Sequence, residues 1–259
     1  MTGCSQRRPK WNIILTLALR TVTTDPTVRP IDDIRSRPRF DGDLRLLQHT
    51  LVDVNAAEAA LAARVDDPEP VSKLWRSRSL AYTFVANQLD VYQPFYEINR
   101  DALQYALDAH SVDISTDERD EILAVYHELD VFNDVREGIE RLREDGYDCY
   151  VVSNGNPAML DSMVDHADIG DLLEDTISAD EIEVFKPNAE LYRHAAGRTG
   201  TPIGEIAHVT AGWFDVMGAT HAGMQAVWVD RKGSPWETFG SDPDLTIETF
   251  FELADALGI

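Results

Sequence analysis

From Asp145 onward the chain alternates short apolar runs with amphipathic segments, the pattern of strand and helix crossovers that builds a parallel sheet. DCYVVSNG reads as a buried strand, Asp148 to Val152, running into a turn. Pro157 to His166 follows as a helix with proline at a tolerated first-turn position. DTISAD supplies the next strand, Ala189 to Arg198 a helix, and Ile206 to Thr210 another strand, before the chain turns helical from Asp215 to Ala222. AVWVD is a further strand, Ala226 to Asp230, and LTI with ETFFELADAL closes the domain. A chain patterned in this way is an α/β protein with a Rossmann-like parallel sheet.

Between Pro68 and Phe132 the pattern changes to helices alone, with apolar spacings such as Leu74, Arg78, Ala81, Tyr82 and Val85. The sequence therefore divides into a core of residues 44–63 and 136–259, an all-helical insert over 64–135, and a segment 1–43 that stands apart. With 259 residues and 44 % apolar side chains, the chain is long enough to bury a real core.

Charge sets the first segment apart. The formal net charge is -23, which excludes nucleic acid as a general partner, since binding a polyanion needs a basic footprint. Residues 1–50 carry nine basic and five acidic side chains and no Glu, whereas residues 51–259 carry 14 basic and 41 acidic ones. A body this acidic, with only four Lys in the chain, fits a protein kept soluble at high salt, where charges are screened over about 3 Å at 1 M. Two cysteines, Cys4 and Cys149, give neither a disulfide framework nor a metal-ligand spacing, so a reducing cytoplasm is expected. The run Trp11 to Leu19 after Arg7, Arg8 and Lys10 is faintly like a twin-arginine export signal, but Arg20 cuts it short. No stretch has the length of a membrane span, and no membrane partner is expected.

In open α/β sheets ligands bind beyond the carboxyl ends of the strands. Those positions hold Ser153 and Asn154, Lys186, Thr210 and Asp215. Each has a plainer use alone: Ser-Asn-Gly is a common turn, Lys-Pro suits a surface loop, and Asp215 could cap a helix.

Taken in order, VVSNGNP, VFKPNAELY and HVTAGWFDVMGA resemble the second, third and fourth motifs of the haloacid dehalogenase-like hydrolases, and within them the 2-haloacid dehalogenase branch. The helical insert sits where that family carries a small helical cap, and LWRSRSLAYTF resembles the segment with its halide-side arginine. The resemblance implies an (S)-2-haloacid dehalogenase working through an aspartyl ester on a small 2-halo acid, without a cofactor; a homodimer is left open. It makes Ser153 and Asn154 donors to the substrate carboxylate, and counts Thr50, Thr210 and Arg76 with them as substrate-binding. It places Lys186 beside the nucleophile, with Tyr192 facing the site, Asp215 positioning groups around Lys186 and the hydrolytic water, and Arg76 taking the halide. The alternative within the superfamily is a Mg²⁺-dependent phosphatase, which shows a pair of acidic residues where this chain has Asp215 alone, so no metal site is expected.

The family's first motif, an aspartate followed by Tyr-x-Thr, should stand just before LVDVN. The chain reads RLLQHTLVDVN, with Leu46 at the nucleophile position and Gln48 at the tyrosine. A leucine cannot form the ester. Asp41 and Asp43 lie too early and follow RSRPR rather than an apolar strand. Arg45 to His49 can be encoded so that the frame one base on reads Asp-Ser-Tyr-Ser-Thr. Residues 1 to about 49 are accordingly read as out of frame, and residues 1–43 are expected to be disordered or out of frame, with a catalytically inactive pseudoenzyme as the competing account. If residues 44–50 form the central strand, Arg45 and Gln48 need partners or solvent there.

Overall fold

The computed structural model describes residues 11–15, 50–53 and 55–259, with main chain alone at 11–15 and 55. Six parallel strands form one sheet: β1 (Trp11–Leu15), β2 (Tyr147–Ser153), β3 (Asp175–Ser178), β4 (Ala207–Thr210), β5 (Gln225–Val229) and β6 (Leu245–Ile247), in the order β3-β2-β1-β4-β5-β6. Helices α5 (Val135–Glu144), α6 (Pro157–His166), α7 (Ala189–Thr199), α8 (Trp213–Ala222) and α9 (Phe250–Leu257) alternate with the strands. Four more precede them: α1 (Asn55–Ala62), α2 (Pro68–Leu89), α3 (Phe95–Ala109) and α4 (Thr116–Leu123).

Local chemistry accounts for these boundaries. In α7 the Asn188 side chain accepts from the Glu190 amide at the first turn, and Gly200 ends the helix at φ 67°. Ser115 and Glu118 cap each other's main chain at the start of α4, and Pro68 opens α2. Strands β2, β4 and β5 are rich in valine and largely buried, as a sheet covered on both faces requires.

One expectation is corrected. The central position, between β2 and β4, is held by Trp11–Leu15, in register from Trp11 opposite Tyr147 to Leu15 opposite Val151. The segment set apart from the core thus contributes its middle strand, and that strand is the first part, Trp11–Leu15, of the run read as faintly export-like. The physical reason is composition: a central parallel strand needs an almost continuous apolar run, which WNIIL offers and RLLQH does not. Residues 44–49, and the expectation of disorder over the rest of 1–43, lie outside the described residues.

The chain leaves for the helical layer and returns from it through one short pairing. Val52 bridges Val131 antiparallel, with Asp53 N donating to Asp130 O (2.9 Å) and Phe132 N to Leu51 O (2.9 Å). Arg231, just past β5, holds this crossing. It donates to Asp134 Oδ1 (2.8 Å) and to Thr50 O (2.9 Å), and its guanidinium lies 4.2 Å from the Phe132 ring centroid. One large cluster of buried apolar side chains runs from α2 and α3 into the sheet, and a second lies under α5 and α9 on the other face.

Candidate active site

The carboxyl ends of β2 and β4 open, under α2 and α3, onto a cavity of about 170 Å³. At its floor lies Asp215, in the first turn of α8 and almost fully buried. Four donors converge on its carboxylate. His208 Nε2 (2.9 Å) and the Tyr192 hydroxyl (2.5 Å) reach Oδ1, while Lys186 Nζ (2.9 Å) and Thr210 Oγ1 (2.9 Å) reach Oδ2. A carboxylate has about four lone-pair sites, so Asp215 is saturated.

The electrostatics follow from that packing. Burial alone would raise the Asp215 carboxyl, but His208, Lys186 and the Tyr192 hydroxyl together hold it well below the usual carboxylate range. Burial lowers the Lys186 amine, against the pull of Asp215. Burial also lowers His208, and it raises the Tyr192 phenol with help from the neighbouring carboxylate. The imidazole is therefore neutral at pH 7, with its one hydrogen on Nε2 toward Asp215. Its Nδ1 is buried without a partner among the described residues.

The remaining residues singled out in the sequence fall around this cluster. Asn154 Oδ1 accepts from the Lys186 amide (2.8 Å), and Ser153 Oγ accepts from the Gly155 amide (3.0 Å). Both acceptor oxygens are thereby engaged, leaving the Asn154 amide hydrogens and the Ser153 hydroxyl hydrogen to donate toward the cavity the two residues line. Thr50 also lines it and accepts from the Ala211 amide at 2.8 Å. Arg76 lines the cavity from α2, near Tyr126, whose hydroxyl burial pushes up to about 12 while Arg76 pulls the other way. Leu80, Phe95, Leu129 and Phe214 make much of the rest apolar.

The Thr210 hydroxyl and the Asp215 carboxylate are both already engaged within the cluster. Thr210 gives its single hydroxyl hydrogen to Asp215 and accepts from the Gly212 amide (3.1 Å), so it holds the carboxylate rather than a bound acid. Asp215, with every lone pair engaged, has none left for a hydrolytic water. His208 was not singled out from the sequence; its one signal there is a polar residue inside the apolar strand around Val209. Asp215 is also the only carboxylate among the described residues lining the cavity. The Lys186 ammonium occupies one of its oxygens, a donor set that does not fit Mg²⁺, which needs free oxygen ligands. No group of three His, Cys, Asp or Glu suited to a metal occurs among the described residues. Nor is any described helix long and apolar enough to cross a membrane.

Comparison with known proteins bears on this arrangement. A family model described as haloacid dehalogenase-like hydrolase matches residues 46–223. The chain is 31% identical to (S)-2-haloacid dehalogenase 4A of Burkholderia cepacia over 189 residues, 73% of this chain and 82% of that protein. It is 29% identical to the (S)-2-haloacid dehalogenase of Pseudomonas sp. (strain YL), over 76% of this chain and 86% of that one. A crystal structure of an L-2-haloacid dehalogenase superposes with a TM-score of 0.78 at 27% identity, covering 81% of this chain and 94% of the other.

Proposed function

Because the chain belongs to the haloacid dehalogenase-like hydrolases, we propose that its cavity is that of a 2-haloacid dehalogenase, a hydrolase of carbon-halide bonds acting on a short 2-halo acid. The observation that carries the reading is the pairing of two poles. The donors that Ser153 and Asn154 leave toward the cavity suit a substrate carboxylate, and Arg76, lining the same cavity, suits a departing halide because a guanidinium is a delocalised, weakly hydrated cation. Residues 64–135 act as the cap, and residues 55–63 and 136–259 with β1 as the core.

In this reading a carboxylate beside Lys186 attacks C2. The new C–O bond forms as the C–halogen bond breaks, and the halide leaves with its electron pair toward Arg76. Water then cleaves the ester at its carbonyl carbon, giving the 2-hydroxy acid and restoring the carboxylate. Lys186 keeps that carboxylate ionised, and Asp215, fixed by four donors, keeps Lys186 in place. The saturation of Asp215 supports a route that needs no cofactor, and speaks against the Mg²⁺-dependent phosphatase.

The attacking carboxylate is the one part that no described lining residue supplies, and the family position for it holds Leu46. This favours a second reading, a chain that binds a small acid without turning it over. Composition supports a protein of the cytoplasm working at high salt. Calorimetry with 2-chloropropionate, beside phosphate release from a small phosphate ester with and without Mg²⁺, tests the assignment. Binding of the halo acid with no phosphate release in either condition is expected, and Mg²⁺-dependent phosphate release would overturn it.

A further inference from the structure

The main chain of Phe185, the residue before Lys186, is held by a side chain from the helical layer. Asn87, in the last turn of α2, accepts from Phe185 N through Oδ1 (2.9 Å) and donates through Nδ2 to Phe185 O (2.7 Å). Its amide closes on that residue as a neighbouring strand would. Tyr92, between α2 and α3, hydrogen-bonds Asp180 and stacks on the Phe185 ring, with centroids 5.1 Å apart and planes at 25°. From the other side, Asn154 takes the Lys186 amide. Two successive main-chain amides are thus fixed by side chains from different layers, and the Lys186 side chain departs from the second of them toward Asp215.

Asn87 lies eleven residues beyond Arg76 on α2. Eleven residues are three helical turns, about 16 Å along the axis, and bring the two side chains back to nearly the same face. One helix therefore presents Arg76 to the cavity and Asn87 to the lysine loop. Any shift of α2 that moves Arg76 also strains the clamp on Phe185.

We propose that Asn87 is a positioning residue: by clamping the Phe185 main chain it fixes Lys186, and it ties the placement of Lys186 to the seat of the helix that carries Arg76. This rests on the reading of Lys186 and Arg76 as the two cationic poles of the acid site. Phe185 is fully buried, so its N–H has no solvent to turn to when the amide is removed, while its C=O keeps only the Asn188 amide (3.1 Å).

The test uses the full chain with Asn87→Ala, Asn87→Asp and, as a control on the exposed face of the same helix, Val85→Ala. Three quantities are read: hydrogen exchange of the Phe185 amide, the Lys186 ζ-ammonium NMR signal, and 2-chloropropionate binding by calorimetry. In Asn87→Ala the Phe185 amide exchanges roughly tenfold faster or more, as two lost hydrogen bonds imply. The Lys186 signal shifts and the halo acid binds more weakly. Asn87→Asp keeps the acceptor for Phe185 N and lies between, while Val85→Ala matches the wild type. The proposal is overturned if Phe185 exchange and the Lys186 signal in Asn87→Ala equal those of the wild type. It is equally overturned if exchange quickens uniformly through α2 and α7, which is lost stability and not lost position. A wild-type chain that does not bind 2-chloropropionate overturns the acid-site reading, and the exchange and Lys186 signals then decide on Asn87 by themselves.

Discussion

Asp215 organises the site at the scale of single residues, and what it does follows from how its oxygens are shared. Lys186 and Thr210 hold one, Tyr192 and His208 the other. Because burial keeps His208 neutral in the folded chain, the unfolded chain takes up a proton near pH 6.5 that the folded one refuses. Stability is therefore lost as pH falls below about 6.5. Asp215, depressed in the fold, adds a further loss as pH falls below about 3.9, so the two act in the same direction. Urea midpoints at pH 7 and pH 5 should fall more in the wild type than in His208→Gln, and equal falls would contradict the assignment. Lys186 and Asp215 were legible in the sequence because they follow strands, where sites of this architecture lie. His208 was not, because it sits inside β4 and only the packing of α7 and α8 brings it against the carboxylate.

Between elements, the fit of α8 against α7 and the lysine loop depends on Gly218. A Cβ there would lie 2.6 Å from the Tyr192 hydroxyl and 2.7 Å from Pro187 O. Overpacking of this kind costs about 1–3 kcal/mol, so Gly218→Ala should lower the urea midpoint and alter the absorbance of Tyr192 as its hydroxyl is pushed from Asp215. An unchanged midpoint would show that the contact has slack. Most helices and strands were legible from their periodicity and their Pro, Asn and Gly boundaries. The identity of the central strand was not. Sequence spacing pointed to residues 44–50, while β1 lies at Trp11–Leu15, because a central parallel strand is selected by apolar continuity rather than by distance from the next motif. The clasp of Arg231 on Thr50 and Asp134 was equally hidden, since it joins residues 97 and 181 positions apart.

Over the whole molecule, the charge of -23 is an average of two unlike parts. The acidic excess lies in residues 51–259, which carry the described site residues apart from Thr50, and the basic excess lies in residues 1–50, where the family's aspartate should stand. A body with that much like charge repels itself at low ionic strength, and screening relieves it. The melting temperature should rise between 0.1 M and 3 M KCl, and a flat or falling curve would count against life at high salt. We propose that this hydrolase site, among the described residues, lacks only its attacking carboxylate, and that the carboxylate returns when residues 1–49, β1 included, are replaced by the frame one base on. Chloride release from (S)-2-chloropropionate, measured on the chain as written and on the chain translated with the shifted frame before codon 50, tests it most directly. The account predicts no release above the uncatalysed rate from the first and sustained turnover from the second. Turnover by the chain as written, or none by the reframed chain, would contradict it.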